Sequence, residues 1–402
     1  MYNFLYAKNI ERTKHYLDIG TDPNSKNDKG ETALMLAKFM NQTRLLISAG
    51  ADLNSKDNLG QNTLIYAITS GQIDRFKLFI RSANNKHLYV NNKDINGKTA
   101  LMHLIQLPNN SNWIEFMLKN GADVNIVDNN GNTALMYNKF IAKICRRGFS
   151  CFCRSNISSG EKYKDVIEKT KILIGANGNI NIKNNCGKTV LIDSGSIEQT
   201  RLFLEAGADP DIQDENGNTA LMHLNSINPN SLLVEAMIID PDFDLNDYLV
   251  MSKYVELTKL LLDAGVNPNI QNKNGDTALM LSKSAEQSQV LLEAGANPNI
   301  QNMNGDTALM KSKSAEQTRC LLSAGAVFDT RNNNNRSVFS FITHRRNIFR
   351  SIRKRERERT KRYKDYTGWE SDYYESDYSD DISGPDESEE QLKILREIEK
   401  TT

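Results

Sequence analysis

The sequence predicts an all-α repeat solenoid, and three observations lead to that prediction. The phrase Asn-Gly-Asp-Thr-Ala-Leu-Met stands at Asn274–Met280 and, unchanged, at Asn304–Met310. The glycines of the two copies are 30 residues apart. Related phrases follow further glycines along most of the chain, at Gly30, Gly60, Gly97, Gly131, Gly187 and Gly217. Units this short cannot bury a core alone, so we expect each one to stack on its neighbours.

The unit that starts at Gly275 illustrates the expected local structure. Glycine there permits a turn with positive φ, and Thr277 is placed to cap a first helix that begins with Ala-Leu-Met-Leu. A polar stretch then turns the chain into a second helix, on which residues 290–292 are apolar. Gly295 ends that helix. The polar residues after it predict a β-turn finger that leads to the next glycine.

These motifs resemble the ankyrin repeat. The family pattern of Gly, Thr-Pro-Leu-His, paired leucines and Gly-Ala-Asp-x-Asn becomes Gly, Thr-Ala-Leu-Met and Leu-Leu-x-Ala-Gly-Ala here, over roughly residues 1–340. The short units and asparagine-rich fingers are similar to ankyrin proteins of large DNA viruses. The resemblance implies a scaffold that binds other proteins, inside a cell in the cytoplasm or nucleus, with a virus-infected host cell as the setting.

Two departures from the family pattern carry structural expectations. Thr277 and Leu291 are three residues closer than in the usual unit, so we expect a shortened first helix and inter-helix turn. Methionine also replaces a histidine that usually ties adjacent repeats by hydrogen bonds. Methionine can only pack, so we expect looser coupling between repeats. The methionines concerned are Met35, Met102, Met136, Met222, Met280 and Met310.

We expect about ten repeats plus caps within residues 1–345. Residues 1–29 form the N-terminal cap, and units begin at residues 30, 60, 97, 131, 187, 217, 247, 275 and 305. The C-terminal cap begins at Asn335, which occupies a glycine position. The third unit has an irregular finger over Ser82–Asn96, and the unit from Gly131 carries an insertion near residues 141–160. Asp240–Asn246 would be the finger before the degenerate unit that begins at residue 247. In that unit, Tyr248–Lys253 would replace the first helix.

Residues 346–402 differ in composition and are predicted to be a largely disordered tail. From His344 to Lys364 there are eleven Lys or Arg and two Glu, whereas Asp365–Gln391 holds eleven Asp or Glu and no Lys or Arg. The serines and tyrosines of the acidic part are candidates for phosphorylation. Residues 392–400 could form a short helix that is too short to be stable alone.

Composition narrows the class of protein. The formal net charge is zero, and no run of 18 apolar residues exists, so neither a membrane nor nucleic acid is indicated by the whole chain. The start of the chain resembles no signal or transit peptide. The five cysteines are an odd and uneven set, which favours a reducing, intracellular compartment over a disulfide framework. They are Cys145, Cys151, Cys153, Cys186 and Cys320.

The sequence does not predict an enzyme, a cofactor or a metal. The five histidines fall in different repeats, and His103 and His223 occupy equivalent positions, as repeat copies would. The glycines are spaced by the repeat and do not form the glycine-rich motif of a phosphate-binding loop. Cys145, Cys151 and Cys153 leave a zinc site as an alternative, although their spacing lacks a Cys-x-x-Cys pair; the simpler interpretation is a surface loop with free thiols.

The function expected from the sequence is a non-catalytic scaffold or adaptor that binds a protein partner through its concave finger and first-helix surface. We expect a monomer, with no nucleic acid or membrane as partner. The predicted contact residues flank the glycines of the fingers: Lys29, Glu31, Leu59, Gln61, Asn96, Lys98, Asn130, Asn132, Asn216, Asn218, Asn274, Asp276, Asn304 and Asp306. The alternative is a nuclear or nucleic-acid-associated protein that acts through the basic segment, residues 345–364.

Overall fold

The chain was analysed as a computed structural model that describes residues 2–5, 10–139, 149–194, 196–224, 247–344 and 387–399. It divides into two compact units, residues 1–209 with 228–244, and residues 210–227 with 245–402. Within the described ranges the protein is helical, and its only β pairing is two isolated bridges, Lys26 with Thr32 and Lys93 with Thr99.

The first unit contains twelve α-helices in its described residues, and most of them alternate along the chain as a first and a second helix of one repeat. A 3₁₀ turn at Ile73–Arg75 precedes α6. The helices are α1 Tyr2–Leu5, α2 Ile10–Asp18, α3 Ala33–Leu36, α4 Met40–Ser48, α5 Thr63–Thr69, α6 Phe76–Ser82, α7 Lys86–Val90, α8 Ala100–Leu104, α9 Ser111–Lys119, α10 Ala134–Tyr137, α11 Phe149–Gly175 and α12 Ile197–Glu205.

The second unit continues the same pattern and ends on a helix far along the chain. Its helices are α13 Ala220–His223, α14 Asp247–Asp263, α15 Ala278–Leu281, α16 Ala285–Glu293, α17 Ala308–Lys311, α18 Ala315–Ser323, α19 at residues 338–344 and α20 Glu387–Glu399. Contacts join α14 to α16, α16 to α18, and α18 to α20. Within this unit, α16, α18 and α20 therefore each pack on the second helix before them.

The repeat from Gly275 has the predicted shape. Thr277 is extended and its Oγ1 accepts a 3.4 Å hydrogen bond from the Met280 N–H, which starts α15. That helix is a single turn, and Ser284 then caps α16 through a 3.1 Å bond from the Gln287 N–H to its Oγ. The predicted shortening of the first helix and its turn is thereby confirmed in this repeat.

The fingers require glycine for two reasons: the backbone has positive φ, and there is no room for a Cβ atom. Gly305 has φ +76°, and a Cβ there would lie 2.7 Å from the backbone nitrogen of Asn333 in the next finger. Asn335, in the corresponding position of the last repeat, has φ 59°. This confirms the expectation that asparagine can adopt the left-handed conformation at that position.

The six methionines of the Thr-Ala-Leu-Met motifs are all buried, with at most 6% of their surface exposed. Leu279 and Leu291 of the repeat from Gly275 are buried as well. Full burial of such side chains stabilises the fold by about 1.5–3 kcal/mol each. The prediction that methionine packs in these positions is confirmed; the looser coupling it implies stays a prediction.

A row of glutamines on the second helices supplies inter-repeat hydrogen bonds that the sequence analysis did not anticipate. Each Nε2 donates to a threonine or serine hydroxyl of the preceding second helix. The pairs are Gln42 with Thr13 at 2.9 Å, Gln199 with Thr170 at 3.1 Å, Gln287 with Thr258 at 3.3 Å and Gln317 with Ser288 at 2.9 Å. The glutamines are buried, so each bond stabilises the stack by about 1 kcal/mol.

The irregular third finger contains a further helical turn. Asn85 caps α7 by accepting a 3.1 Å bond from the Leu88 N–H. The turn places Tyr89 fully inside, where its hydroxyl lies 2.7 Å from Thr63 Oγ1. The departure from the Gly-Ala pattern is therefore compensated by an aromatic side chain in the core.

The insertion near residues 141–160 is partly helical, which corrects the interpretation of it as a surface loop. Helix α11 begins at Phe149 and runs for 27 residues, with its later part packed on α9. Residues 149–159 contain no proline. Extension of a packed helix costs much less than nucleation of a new one, so the segment continues it. Residues 140–148 lie outside the described residues.

The degenerate repeat also differs from its prediction. Tyr248–Lys253 does not form a separate first helix; it belongs to α14, which continues without a break to Asp263. The segment has no glycine or proline to end a helix. The predicted finger at Asp240–Asn246 lies outside the described residues.

The end of the predicted tail is a packed helix. Helix α20 spans Glu387–Glu399, so it begins five residues before the expected short helix. Leu392 and Leu395 are buried and α20 contacts α18, which stabilises a helix that would be marginal alone. The rest of the predicted disordered tail, residues 346–386 and 400–402, lies outside the described residues.

Candidate functional site

One Asn or Asp, three positions before the glycine, shapes each finger tip. In the last complete finger, Asn302 Oδ1 accepts hydrogen bonds of 3.0 Å and 2.9 Å from the N–H groups of Asn304 and Asp306. Two bonds to one oxygen fix the turn, and the residues at its tip then face outward. The same arrangement recurs at Asn27, Asp57, Asp94, Asp128, Asn184, Asp214, Asn272 and Asn332.

Backbone hydrogen bonds join neighbouring tips into a row within each unit. The carbonyl of the residue before each glycine accepts from an N–H of the next finger. In the first unit the acceptors are Lys29, Leu59, Asn96 and Asn130, and the donors are Asn58, Ile95, Asn129 and Asn185, at 2.9–3.0 Å. In the second unit Asn216, Asn274 and Asn304 accept from Lys273, Met303 and Asn333 at 2.8–2.9 Å.

The predicted contact residues separate into two groups by exposure. Those before the glycine are exposed at the tips: Lys29, Leu59, Asn96, Asn130, Asn216, Asn274 and Asn304. Most of those after the glycine are half-buried, namely Glu31, Gln61, Lys98, Asn132 and Asn218. The residues before the glycine therefore offer the larger area to a partner.

Asp276 and Asp306 lie below the surface, which corrects their assignment as contact residues. Their exposed fractions are 7% and 8%. Asp276 Oδ1 accepts from Asn302 Nδ2 at 2.7 Å and from Lys311 Nζ at 2.5 Å, and Asp306 Oδ1 accepts from Asn332 Nδ2 at 2.8 Å. Both carboxylates bind the asparagine of the following finger, so their role is structural.

In two fingers that carry Asp instead of Asn, the carboxylate also binds a histidine nine residues later. His103 Nε2 lies 2.8 Å from Asp94 Oδ2, and His223 Nε2 lies 2.7 Å from Asp214 Oδ2. Burial opposes ionisation of Asp214, but the bonds from His223 and from the N–H groups of Asn218 and Asn216 outweigh it and lower the carboxyl pKa. The two histidines are thus equivalent in structure, as the sequence predicted.

Several half-buried residues after the glycine are also held in place. Glu31 Oε1 accepts a 3.0 Å bond from the hydroxyl of Tyr66, one repeat later. Burial and this bond raise the pKa of Tyr66 to about 12. Lys98 Nζ lies 4.3 Å from the centre of the Tyr137 ring, a cation–π distance. These contacts hold Glu31 and Lys98 in place below the exposed tips.

The sequence analysis missed apolar side chains two positions before the glycine. Ile95 is 56% exposed and Met303 is 71% exposed. Ile95 follows Leu59 directly along the row, because its N–H bonds to the Leu59 carbonyl, and Leu59 is 55% exposed. The signal was an apolar residue at a position that elsewhere is mostly Asn, Asp, Glu or Lys. The first compact unit therefore presents two exposed apolar side chains on neighbouring fingers, which we call the Leu59–Ile95 pair.

The described residues contain no group of three or more side chains placed to hold a metal ion. Cys145 and the side chains of Cys151 and Cys153 lie outside them, so the zinc alternative stays a hypothesis. The first unit has one open cleft, lined by residues that include Met136, Asn138 and Phe203. Its volume is about 220 Å³ when the open solvent at its mouth is counted. The cleft holds no histidine or free cysteine.

No helix in the described part of the chain combines the length and the apolar character that a membrane crossing needs.

Comparison with known proteins identifies the repeats. Models of ankyrin repeats match residues 4–88 and 247–332 with a three-copy pattern, and residues 96–129 as a single repeat, together just over half of the chain. No curated protein sequence matches. Among solved structures, the ankyrin repeat domain of Bcl-3, titled a unique member of the IkappaB protein family, aligns with a TM-score of 0.43 at 20% identity, over 65% of this chain and 99% of that one.

Proposed function

This chain belongs to the ankyrin repeat family, and from that premise we propose that it is a non-catalytic scaffold or adaptor that binds a partner protein through its row of finger tips. Ankyrin repeats generally mediate interactions between proteins, and they are typically non-catalytic. The finer proposal concerns which residues of this chain make the contact. We assign that role to the exposed residues before the finger glycines, with the half-buried Glu31, Gln61, Lys98, Asn132 and Asn218 at their side.

The Leu59–Ile95 pair is the observation that supports this assignment most. Exposed apolar residues are common, but two that adjoin on a hydrogen-bonded row of polar tips are a candidate anchor for a partner side chain. The tips are fixed by backbone bonds, so a partner would bind with little loss of conformational freedom on this side. We therefore propose that the partner inserts an apolar side chain between Leu59 and Ile95.

Site-specific photo-crosslinking tests the proposal. A photoreactive amino acid replaces Leu59 in one full-length chain and Ile19 in another. Ile19 is a matched control because it is 64% exposed but lies just after α2, away from any finger tip. We expect one cellular protein to crosslink to position 59 and not to position 19. Equal crosslinking at both positions, or none at position 59, would contradict the proposal.

The alternative function, binding of nucleic acid through residues 345–364, rests on the sequence alone. Its salt dependence separates it from finger-tip binding, because affinity that arises from phosphate contacts falls steeply as salt rises. We further propose an intracellular location, cytoplasmic or nuclear, in a virus-infected cell, which rests on the resemblance of the short repeats. Detection of the chain inside infected cells by immunofluorescence would test that location.

A further inference from the structure

Helix α20 occupies the position of a second helix in the repeat stack. It packs on α18 as α18 packs on α16. Gln391 Nε2 donates to Thr318 Oγ1 at 3.0 Å, as Gln317 donates to Ser288 and Gln287 to Thr258 in the two preceding repeats. A segment of the tail thus reproduces the inter-repeat hydrogen bond of the solenoid.

The sequence of α20 matches the regular second helices. Ser-Glu-Glu-Gln-Leu at residues 388–392 aligns with Ser-Ala-Glu-Gln-Thr at residues 314–318, and Leu395 then aligns with Leu321. Both leucines are buried, at 0% and 1% exposure. Helix α20 therefore covers one face of α18, and its Gln391 and Leu395 occupy the positions that a glutamine and a leucine of a further repeat would occupy.

Two features make α20 easier to release than an ordinary second helix. Three residues separate α15 from α16, whereas residues 345–386 separate α19 from α20. A longer connection between two packed helices carries a larger entropic cost of loop closure, which weakens docking of the second helix. Gln391 Oε1 is also buried with no partner among the described residues, whereas the same atom of Gln317 accepts a 2.8 Å bond from the Lys313 N–H.

We propose that α20 is an exchangeable cap: it closes the α18 face of its own chain, and when it is displaced that face binds α20 of a second copy. The face is specific, because it offers the Thr318 hydroxyl and the Ser314 carbonyl to one glutamine, and it buries a leucine four residues later. The docked cap keeps an isolated chain closed, and loss of the cap exposes a site for self-association. This inference is independent of the finger-tip proposal.

The test uses the full-length chain and a fluorescent synthetic peptide of residues 386–402. The Leu395→Asp chain carries a cap that cannot dock, so we expect it to bind the peptide at least about 10-fold more tightly than the wild-type chain, whose own cap competes. Lys393→Ala, at an exposed position of α20, serves as the matched control and should bind like the wild type. A peptide that itself carries Leu395→Asp should not bind.

Equal affinity of the wild-type and Leu395→Asp chains for the peptide, or no binding by either, would overturn the proposal. Hydrogen exchange of the wild-type chain gives a second test that needs no variant. The amides of residues 392–399 should exchange faster than those of α16, because the cap opens without the rest of the unit. Exchange of the two segments at one common rate would show that α20 does not separate, and would also overturn the proposal.

Discussion

Asn302 donates a 2.7 Å hydrogen bond from its side-chain amide to Oδ1 of Asp276, which directly follows the glycine of the preceding finger. The bond is buried, and it recurs 30 residues later between Asn332 and Asp306 at 2.8 Å. It connects the turn of one finger to the residue that follows the glycine of the preceding finger. The asparagines of the fingers thus link successive fingers as well as shaping each turn.

The first prediction concerns this bond. Replacement of Asp276 with Leu leaves the Asn302 amide buried without its acceptor, so we expect the free energy of unfolding to fall by about 1–3 kcal/mol. Urea denaturation measures the loss. Asn274→Ala, two residues away at an exposed tip, should change the stability by no more than about 0.5 kcal/mol. A similar loss in both variants would show that Asp276 has no special role.

The second prediction concerns acid sensitivity. The folded-state pKa of Asp214 is lowered, so its ionised form stabilises the native state. That contribution is present above the ordinary carboxyl pKa near 3.8 and is lost as the pH falls through the lower, folded-state pKa. Asp214→Asn removes it. We expect the stability difference between wild type and variant, measured by urea denaturation, to shrink below pH 4; a constant difference would contradict this.

The third prediction separates the two reasons for glycine. Gly305 and Gly325 both have positive φ. A Cβ atom added to Gly305 would clash with the next finger, whereas a Cβ atom added to Gly325 would have no atom within 4 Å. Gly325→Ala should cost about 1–2 kcal/mol, from the backbone conformation alone. Gly305→Ala should cost more, because Asn333 must also move. Thermal unfolding measures both, and an equal cost would show that the fingers are not closely packed.

The fourth prediction concerns the glutamine row. Gln287→Leu removes the donor to Thr258, a fully buried hydroxyl that still donates to the Tyr254 carbonyl. We expect a loss of about 1 kcal/mol in the free energy of unfolding. Gln289→Leu, on the exposed side of the same helix, is the control and should be close to neutral. If the two variants lose equal stability, the inter-repeat bond contributes nothing.

Local patterns in the sequence predicted the repeat well, because each element depends on nearby residues. Thr277 caps its helix, Gly305 adopts positive φ, and Met280 is buried, all as expected. The docking of α20 was not predicted, since the residues that bind Gln391 lie more than 70 positions earlier. The burial of Asp276 was missed for a related reason: a charged residue beside a tip looks exposed until its partner in the next repeat is known.

The docked helix changes how the tail should be tested. Deletion of Arg353–Thr402 would remove α20 together with most of the basic segment, and would expose α18. Replacement of the eleven basic residues between His344 and Lys364 with glutamine keeps the cap and removes the charge. We expect this variant to retain most of its affinity for a protein partner. A complete loss would favour the alternative function of the basic segment.

The affinity of the crosslinked partner for tip variants tests the central claim most directly. In the double variant Leu59→Ala with Ile95→Ala, the dissociation constant should rise by about 30-fold or more, as truncation of an interface anchor does. The control Ile19→Ala should leave it within about twofold, because scattered exposed apolar residues seldom contribute to binding. If the double variant binds like the wild type, the finger tips do not form the partner-binding surface.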